Sequence, residues 1–227
     1  MTALDGFLAC GEYCTQVALD AFIPFKPVNP KTRLGMFLNQ QEREEFALAM
    51  LRDVVAAVAG AGCAPVLLCT TPFLPFGNAC VQVDARGLNE ALNPLFQEHP
   101  TPLLLMMSDL PLVTPASVGR MIATEKEIVI APGRGGGTNA LFLRNPPCFR
   151  ADFYGASFLK HCRIAEQSGC SWEISDSFRI STDVDEKDDL VEVIIHGGAN
   201  SREFLTAAGF VLAVENGRVG VQRNSHK

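Results

Sequence analysis

The chain has 227 residues, of which 48% are hydrophobic and 19% are charged, and its net charge at pH 7 is −6. This length favours one large α/β domain over two small ones, with enough apolar residues for a sizeable core. The acidic balance argues against a general nucleic-acid binder. No apolar run is long enough to cross a bilayer. We therefore expect neither nucleic acid nor a membrane as a partner.

The eight cysteines include no Cys-x-x-Cys pair. Cys63 and Cys69 fall in or beside an apolar strand, where small core residues are expected. Cys10 and Cys14 are the only close pair, and their spacing is a weak indication of a metal site. Free thiols in a reducing compartment account best for the whole set, so we predict a cytoplasmic protein.

Residues 1–16 contain no Lys or Arg, which a secretory signal would require. We interpret them as a loosely attached N-terminal extension, and residues 17–227 as a single domain. One hypothesis is that translation starts at Val17, immediately before the first predicted strand.

A proline-rich loop, residues 25–35, follows the predicted first strand Val17–Pro24 and carries three cations, Lys26, Lys31 and Arg33. Its prolines keep the backbone extended. A cationic loop after the first strand of an α/β sheet is where a nucleotide triphosphate would be held. The alternative is a solvated basic loop without a ligand.

Apolar periodicity predicts the elements that come next. They are an amphipathic helix over Gln41–Ala59, a strand over Ala64–Thr70, a short strand over Ala79–Val83 and a helix over Leu88–Gln97. Asn89, in the first turn of that last helix, has the amide that a purine edge requires. A helix cap or a solvated side chain is the alternative for Asn89.

The apolar run Leu103–Leu105 is followed closely by Asp109 and Pro111. A short apolar run suits a strand buried on both faces, as in a parallel sheet covered by helices. Such strands end at the edge where α/β proteins bind ligands. An ionised Asp109 there is costly unless a positive group lies beside it. The alternative is that Asp109 caps a turn or a helix.

A glycine-rich segment, residues 132–139, joins a predicted strand at Glu127–Ala131 to a returning strand at Ala140–Leu143. Its glycines free the backbone to bring N–H groups round a small anion. A floppy hairpin loop is the alternative. Before this segment, Pro115 begins a predicted helix for which Thr114 is the N-cap.

Gly155 and Ser157 fall near the start of another predicted helix, which is a natural anion site. His161 follows Ser157 by four residues, but no third group accompanies them, so a Ser–His nucleophile is not indicated. In extended backbone, Asp183 and Asp185 would point to one side. Asp185 is also a good N-cap for the helix that follows.

The C-terminal segment is predicted to hold a short helix, 201–208, and then a β-hairpin. Asn216-Gly217 between two alternating apolar runs is the strongest short-range hairpin signal. This hairpin could cover a cleft or pair with another subunit.

The basic loop, SDLPL, GRGGGTNAL, YGASFLKHC and STDVDEKDDL occur here in the order of a known family. In this combination, from about Val17 to the C-terminus, the chain closely resembles the archaeal 2-phospho-L-lactate guanylyltransferases of coenzyme F-420 biosynthesis. The resemblance implies a three-layer, Rossmann-like α/β fold of the nucleotide-diphospho-sugar transferase type, with a mixed, mostly parallel sheet and a C-terminal β-hairpin.

The resemblance also implies roles for individual residues. Asp109, Asp183 and Asp185 correspond to the family's metal ligands, which would hold Mg²⁺. Thr138, Gly155 and Ser157 correspond to its substrate-binding residues. The triphosphate of GTP would be held by the basic loop, with Lys26, Lys31 and Arg33 as GTP ligands, and Asn89 would be a weaker guanine contact. Asp109, Lys26 and Arg33 would then be the catalytic residues.

The implied reaction is transfer of GMP from GTP to the phosphate of 2-phospho-L-lactate or phosphoenolpyruvate, with release of pyrophosphate. Expected partners are GTP, a small phospho-acid, a second copy in a homodimer, and the next enzyme of the pathway, which would receive the product. One alternative is a nucleotidyltransferase with another nucleotide or acceptor. The other is a non-catalytic nucleotide-binding subunit.

Overall fold

The computed structural model describes residues 18–215 and 217–224. The predicted extension, Val17 and the Cys10–Cys14 pair lie outside these residues. The strands are β1 (Leu19–Phe25), β2 (Cys63–Cys69), β3 (Cys80–Val83), β4 (Leu103–Met106), β5 (Ile128–Pro132), β6 (Thr138–Leu143), β7 (Trp172–Ile174), β8 (Phe210–Glu215) and β9 (Arg218–Arg223). The α-helices are α1 (Gln40–Gly60), α2 (Leu88–Glu98), α3 (Pro115–Ile122), α4 (Ser157–Ser168), α5 (Phe178–Ser181), α6 (Asp189–His196) and α7 (Ala199–Ala207).

The main sheet has seven strands in the order β3-β2-β1-β4-β6-β5-β7. Every neighbouring pair is parallel except the two that involve β6, which runs antiparallel to β4 and to β5. The predicted mixed, mostly parallel sheet is therefore confirmed. Strands β8 and β9 form a separate antiparallel hairpin, in which Val214 pairs with Val219 across the predicted turn.

Helices cover both faces of the sheet and produce three layers. One face packs against α1, α3, α6 and α7 and holds the larger core, while α2 and α4 cover the other face. In β4, Leu104 and Met106 belong to the first core, and Leu103 and Leu105 belong to the second. Because both faces of β4 are buried, its sequence is a continuous apolar run rather than an alternating one.

Asp53 connects the middle of α1 to the start of α7. Its buried carboxylate accepts hydrogen bonds from the backbone N–H and the side chain of both Asn200 and Ser201, at 2.5–3.0 Å. A Cβ on Gly198 would collide with this carboxylate. The acid therefore caps α7 from a neighbouring helix, in a position where the positive end of the helix favours an anion.

Helix α6 begins differently from the prediction, and the assignment of Asp185 as its N-cap is wrong. The helix starts at Asp189, and Asp188 is the N-cap residue. The Asp189 carboxylate instead accepts hydrogen bonds from the N–H groups of Asp185 and Glu186, at 2.9 and 2.8 Å. This arrangement leaves the side chain of Asp185 available for other partners. Thr114, by contrast, caps α3 as predicted, in a capping box with Ser117.

The six cysteines from Cys63 to Cys170 are all free thiols, as the absence of paired spacings predicts. Across residues 18–215 and 217–224, no helix has the length and apolar character needed to cross a membrane.

Candidate active site

The candidate site lies between the parallel strands β1 and β4. The chain adds β2 and β3 on one side of β1 and then crosses to β4 on the other side, so the strand order reverses at this point. Strand β1 has β2 on one side and β4 on the other, and the chain leaves both β1 and β4 at the same edge. In open α/β sheets, ligands bind outside the carboxyl ends of strands at such a switch point. A cavity of about 470 Å³ opens there, and the charged side chains that line it are Lys26, Lys31, Arg33, Asp84, Arg86, Asp109 and Asp185.

Lys31 forms the centre of the charge cluster in this cavity. Its ammonium nitrogen Nζ lies 2.6 Å from Oδ2 of Asp109 and 2.8 Å from Oδ1 of Asp185. Arg33 adds a longer contact of 3.3 Å from Nη1 to Oδ2 of Asp185. The loop after β1, the segment after β4 and the segment before α6 therefore meet at one cation. These contacts bring together Lys31, Arg33, Asp109 and Asp185, which the sequence singles out as candidate site residues.

The pKa values of these groups reflect their environment. Burial lowers the pKa of Lys31, but the two neighbouring carboxylates more than offset this effect and raise the pKa above its ordinary value. Burial raises the pKa of Asp185, but Lys31 and Arg33 bring it below its ordinary value. The lowered pKa of Asp185 and the raised pKa of Lys31 both favour the charged forms of this pair.

Asp183 belongs to the same edge but is stabilised differently. Its Oδ1 accepts a hydrogen bond of 3.2 Å from the Asn139 amide, which also donates to the carbonyl oxygen of Ile180. Burial raises the pKa of Asp183, and the negative charges of Asp109 and Asp185 raise it further. No salt bridge joins Asp183 to any residue that the structure describes. The Asp183 carboxyl group is therefore held near two other carboxylates, those of Asp109 and Asp185.

Arg43, on α1, holds the basic loop in a strained conformation. The loop residues Asn29 and Lys31 have positive φ angles of 49° and 50°, which non-glycine residues rarely adopt. The Arg43 guanidinium donates to Asn29 Oδ1 at 2.7 Å, to the Pro30 carbonyl at 3.2 Å and to the Leu38 carbonyl at 3.1 Å. These three bonds position the backbone from which Lys31 reaches the carboxylates.

A second group of predicted residues lies at the start of β6 and of α4. Thr138 and Ser157 are almost completely buried. Thr138 follows Gly137 in the sequence, and the Ser157 hydroxyl at the start of α4 lies close to Gly137 in space. The hydroxyl oxygen of Thr138 lies 2.8 Å from Nδ1 of His161, which is on the next turn of α4 after Ser157. Gly155 has a φ of 67°, so glycine is required in the turn that leads into α4.

The glycine-rich turn between β5 and β6 uses its N–H groups internally. Gly133 donates to the Gly137 carbonyl, Arg134 to Ser181 and Gly136 to Gly133, at 2.8–3.0 Å. At the start of α4, the N–H of Phe158 donates to the Gly136 carbonyl. These bonds make the turn an ordered connection that packs on α4 rather than a floppy loop.

Asn89 lies outside the cavity that holds the charge cluster. Its Oδ1 accepts a hydrogen bond of 2.8 Å from the backbone N–H of Phe153. Asp84 and Arg86 line the cavity instead, and the two form a bidentate pair that holds the pKa of Asp84 at about 2. No motif in the sequence indicates a role in the site for Arg43, Asp84 or Arg86. The only signal for Asp84 and Arg86 is their place directly after β3.

The side chains fit a magnesium ion in their chemistry. Carboxylate oxygens are its preferred ligands, and Asp109, Asp183 and Asp185 supply them at this edge of the sheet. Within the described ranges, however, no three acidic, thiol or imidazole side chains are close enough to form a ready-made metal site. Lys31 lies between Asp109 and Asp185, so these two carboxylates already share a cation.

Comparison with known proteins gives a consistent result. The sequence profile of the family described as "Guanylyl transferase CofC like" matches residues 19–225. A 2-phospho-L-lactate guanylyltransferase from Methanoculleus marisnigri is 58% identical over 209 residues, which cover 91% of this chain and 97% of that protein. A protein of the same name from Methanocorpusculum labreanum is 52% identical and covers 90% of this chain and 96% of its own length.

Solved structures confirm the predicted fold class. A nucleotidyl transferase from Methanothermobacter superposes with a TM-score of 0.56 at 13% identity, over 84% of this chain and 99% of that chain. A Desulfovibrio desulfuricans G20 protein described as a nucleotide-diphospho-sugar transferase gives a TM-score of 0.64 at 15% identity, over 82% and 93% of the two chains. At these identities the likeness establishes the fold alone.

We predict that Asp183→Asn stabilises the protein at pH 7, with a rise in melting temperature on the order of 2 °C. Asparagine can still accept the Asn139 hydrogen bond but removes a desolvated charge near Asp109 and Asp185. Because the folded-state pKa of Asp183 is raised, ionising it costs stability as the pH rises through that pKa. The gain should therefore vanish in acid, where Asp183 is neutral in both states.

Asp185→Asn is the matched control, and its effect should have the opposite sign. The pKa of Asp185 is lowered, so its charge contributes stability above the unfolded-state pKa, and that contribution is lost as the pH falls. Thermal unfolding from pH 4 to pH 7.5 measures both variants. A lower melting temperature for Asp183→Asn at pH 7 would contradict this account of the site.

Proposed function

Because the chain belongs to the CofC-like guanylyl transferase family, we propose that it transfers GMP from GTP to the phosphate of 2-phospho-L-lactate or phosphoenolpyruvate. The observation that carries this proposal is the cavity at the switch point. Three cations of one loop and the carboxylates of two other segments line a single opening there. A triphosphate requires the cations, and a transferase of this chemistry requires oxygen ligands for a divalent metal.

In the proposed reaction, a phosphate oxygen of the acceptor attacks the α-phosphorus of GTP. The bond between the α-phosphorus and its bridging oxygen to the β-phosphate breaks, and pyrophosphate leaves. The attacking oxygen is already anionic, so no general base is required. The protein has to align the two anions and neutralise their charges. Lys26 and Arg33 are exposed at the cavity, and Lys31 is held in place by Arg43 through the loop backbone.

We propose Mg²⁺ as the metal, held by Asp109, Asp183 and Asp185. When bound, the ion would supply neutralisation of the charge that builds up on the phosphate oxygens. Metal binding at Asp109 and Asp185 requires the ammonium of Lys31 to leave the position it now shares with them. A nearby triphosphate provides a new partner for that ammonium.

We assign the acceptor to the second group of residues, Thr138, Gly155 and Ser157. Thr138 and Ser157 offer neutral hydroxyl donors, whereas the basic loop offers cations. Strand β6 runs antiparallel to β4, so Thr138 lies at the same edge as the segment after β4. The N–H of Met107 donates to the carbonyl of Asn139, the residue after Thr138, at 2.9 Å. This contact joins the start of β6 to the segment that carries Asp109, which supports the assignment.

Pyrophosphate release tests the proposal directly. Each of GTP, ATP, CTP and UTP is mixed with Mg²⁺, the protein and, in turn, 2-phospho-L-lactate, phosphoenolpyruvate or 3-phosphoglycerate. We expect release with GTP and one of the first two acids. Turnover should fall by a factor on the order of 10² or more in Asp109→Asn and in Asp183→Asn, with the fold preserved. Near-normal turnover in either variant would remove the metal assignment.

Release with a different nucleotide or only with 3-phosphoglycerate would favour the alternative of a nucleotidyltransferase with other substrates. No release with any combination would favour a non-catalytic nucleotide-binding subunit. The expected product, lactyl-2-diphospho-5′-guanosine, is unstable, so a coupled assay with the next enzyme of the pathway provides a second readout.

We predict that Arg43→Lys raises the KM for GTP about tenfold and changes kcat much less. Lysine keeps the charge but cannot make the three hydrogen bonds that hold Asn29, Pro30 and the start of α1 together. The free energy of ordering the loop then has to be supplied by nucleotide binding. Steady-state kinetics with varied GTP measure this effect.

Arg52→Lys is the control for this experiment, since Arg52 lies on the same helix and contacts the ring of Phe76 rather than the basic loop. Its KM for GTP should equal that of the wild type. An Arg43→Lys variant with an unchanged KM would show that the loop does not need this support.

We further propose that the protein is a homodimer through the β8–β9 hairpin. Leu212, Val214 and Val219 are exposed and lie on one hairpin face. The same face carries Phe210 and Val221, which are buried in the core, and Arg223, which packs over the Phe210 ring. The apolar face therefore extends beyond the body of the domain. A two-fold axis beside this face would pair it with itself, as closed dimers do.

Val214→Glu is expected to convert the dimer to a monomer, measured by light scattering after size-exclusion chromatography. Val211→Glu is the matched control, since Val211 is also exposed but alternates to the opposite face of β8. A wild-type protein that is monomeric, or an equal response of the two variants, would contradict the proposed interface.

The remaining parts of the proposal follow from the resemblance. We propose that the protein acts in coenzyme F-420 biosynthesis in the cytoplasm of an archaeon, and that it hands its unstable product to the next enzyme. The coupled assay described above tests the hand-over, because free product would otherwise be lost before the second reaction.

A further inference from the structure

His161 is a completely buried side chain that the proposed reaction does not use. It lies on α4, between the rings of Phe149 and Phe153, whose centroids are 5.5 and 4.7 Å from its own. Its two ring nitrogens have different partners. Nε2 lies 2.9 Å from the backbone nitrogen of Asp152, and Nδ1 lies 2.8 Å from Oγ1 of Thr138.

These two contacts determine where the proton of the imidazole sits. The backbone N–H of Asp152 can only donate, so Nε2 has to be the unprotonated acceptor. A neutral imidazole then carries its hydrogen on Nδ1, which donates to the Thr138 hydroxyl oxygen. Burial lowers the pKa of His161 to about 4, so the ring is neutral at the pH of the reaction.

The protonation of His161 also determines the direction of the hydrogen bond at Thr138. Because its hydroxyl oxygen accepts from His161, its own hydrogen has to be donated elsewhere, and none of the described residues accepts it. Ser157, close by, makes no side-chain hydrogen bond to any other residue in the described ranges. Within those ranges, every fully buried side-chain nitrogen or oxygen atom has a hydrogen-bond partner. The Ser157 hydroxyl has none there, so it must be accessible to solvent.

We propose that His161 is a positioning residue that orients Thr138 as a donor to an anionic oxygen of the acceptor substrate. The inference rests on the proposed function and deepens it, since it states that Thr138 presents a hydrogen-bond donor to the acceptor substrate. A ligand group at Thr138 has to accept a hydrogen bond, as a phosphate or carboxylate oxygen does and an ammonium does not. The chain of donors runs from Asp152 through His161 and Thr138 to the substrate.

Two amide variants separate the two ends of this chain. In His161→Asn, the amide nitrogen can take the place of Nδ1 and still donate to Thr138, but the N–H of Asp152 loses its acceptor. In His161→Gln, the amide oxygen can take the place of Nε2 and accept from Asp152, but Thr138 loses its donor. A purely structural role for His161 predicts that KM for the acceptor follows stability in both variants.

We expect stability and acceptor affinity to separate. His161→Asn should melt at a lower temperature and keep a KM for 2-phospho-L-lactate or phosphoenolpyruvate within about threefold of the wild type. His161→Gln should raise that KM by about tenfold or more, the size expected for one hydrogen bond to a charged group. The KM for GTP should be unchanged in both variants. An unchanged acceptor KM in His161→Gln would overturn the inference.

A double-mutant cycle with Thr138→Val completes the test. In the Thr138→Val background, His161→Gln should cause no further rise in the acceptor KM, because the donor it orients is already gone. Equal rises in both backgrounds would assign His161 a structural role. A wild-type protein that shows no turnover would instead contradict the proposed function, which distinguishes the two failures.

Discussion

The ion pairs between Lys31 and the two carboxylates of Asp109 and Asp185 are the interaction on which the site depends. They join three segments that are up to 154 residues apart in sequence. Carboxylates gathered at the end of a buried strand repel one another and lose hydration, so they need a cation to remain there. The lysine meets this need without a ligand. The proposed nucleotide and divalent metal would meet the same need, which would couple the arrangement of the site to its occupancy.

The cleft has two sides with different chemistry. The side formed by the loop after β1 carries positively charged side chains, of which Lys26 and Arg33 are exposed and Lys31 is largely buried. The side formed by β6 and α4 carries hydroxyl groups that are almost completely buried and whose neighbour, His161, is neutral. A highly charged triphosphate benefits from mobile cations, whereas selection among small phospho-acids of similar shape benefits from donors with fixed directions. In the proposed reaction, these two tasks would fall to different halves of the fold.

The sequence predicted the parts of this arrangement that leave a local pattern. The buried strand β4, the position of Asp109 after it and the hairpin around Gly217 follow from apolar runs and turn residues. Other features have no such pattern. The left-handed backbone of Lys31 depends on Arg43, twelve residues later, and the contact between Thr138 and His161 exists only after the glycine-rich turn packs on α4. The N-cap assignment of Asp185 failed because the Asp185 carboxylate pairs with Lys31 and Arg33, which lie more than 150 residues away in sequence, while Asp189 accepts the nearby N–H groups.

The last described strand supports the first helix. Arg223 of β9 donates to the Phe37 carbonyl and pairs with Glu42, the residue that completes the capping box at the start of α1 beside the basic loop. Asp53, farther along α1, accepts hydrogen bonds from Asn200 and Ser201 at the start of α7. During synthesis, the loop after β1 therefore lacks part of its scaffold until α7 and β9 have been made. The ordering of this loop should accordingly follow the synthesis of β9, as a late event of folding.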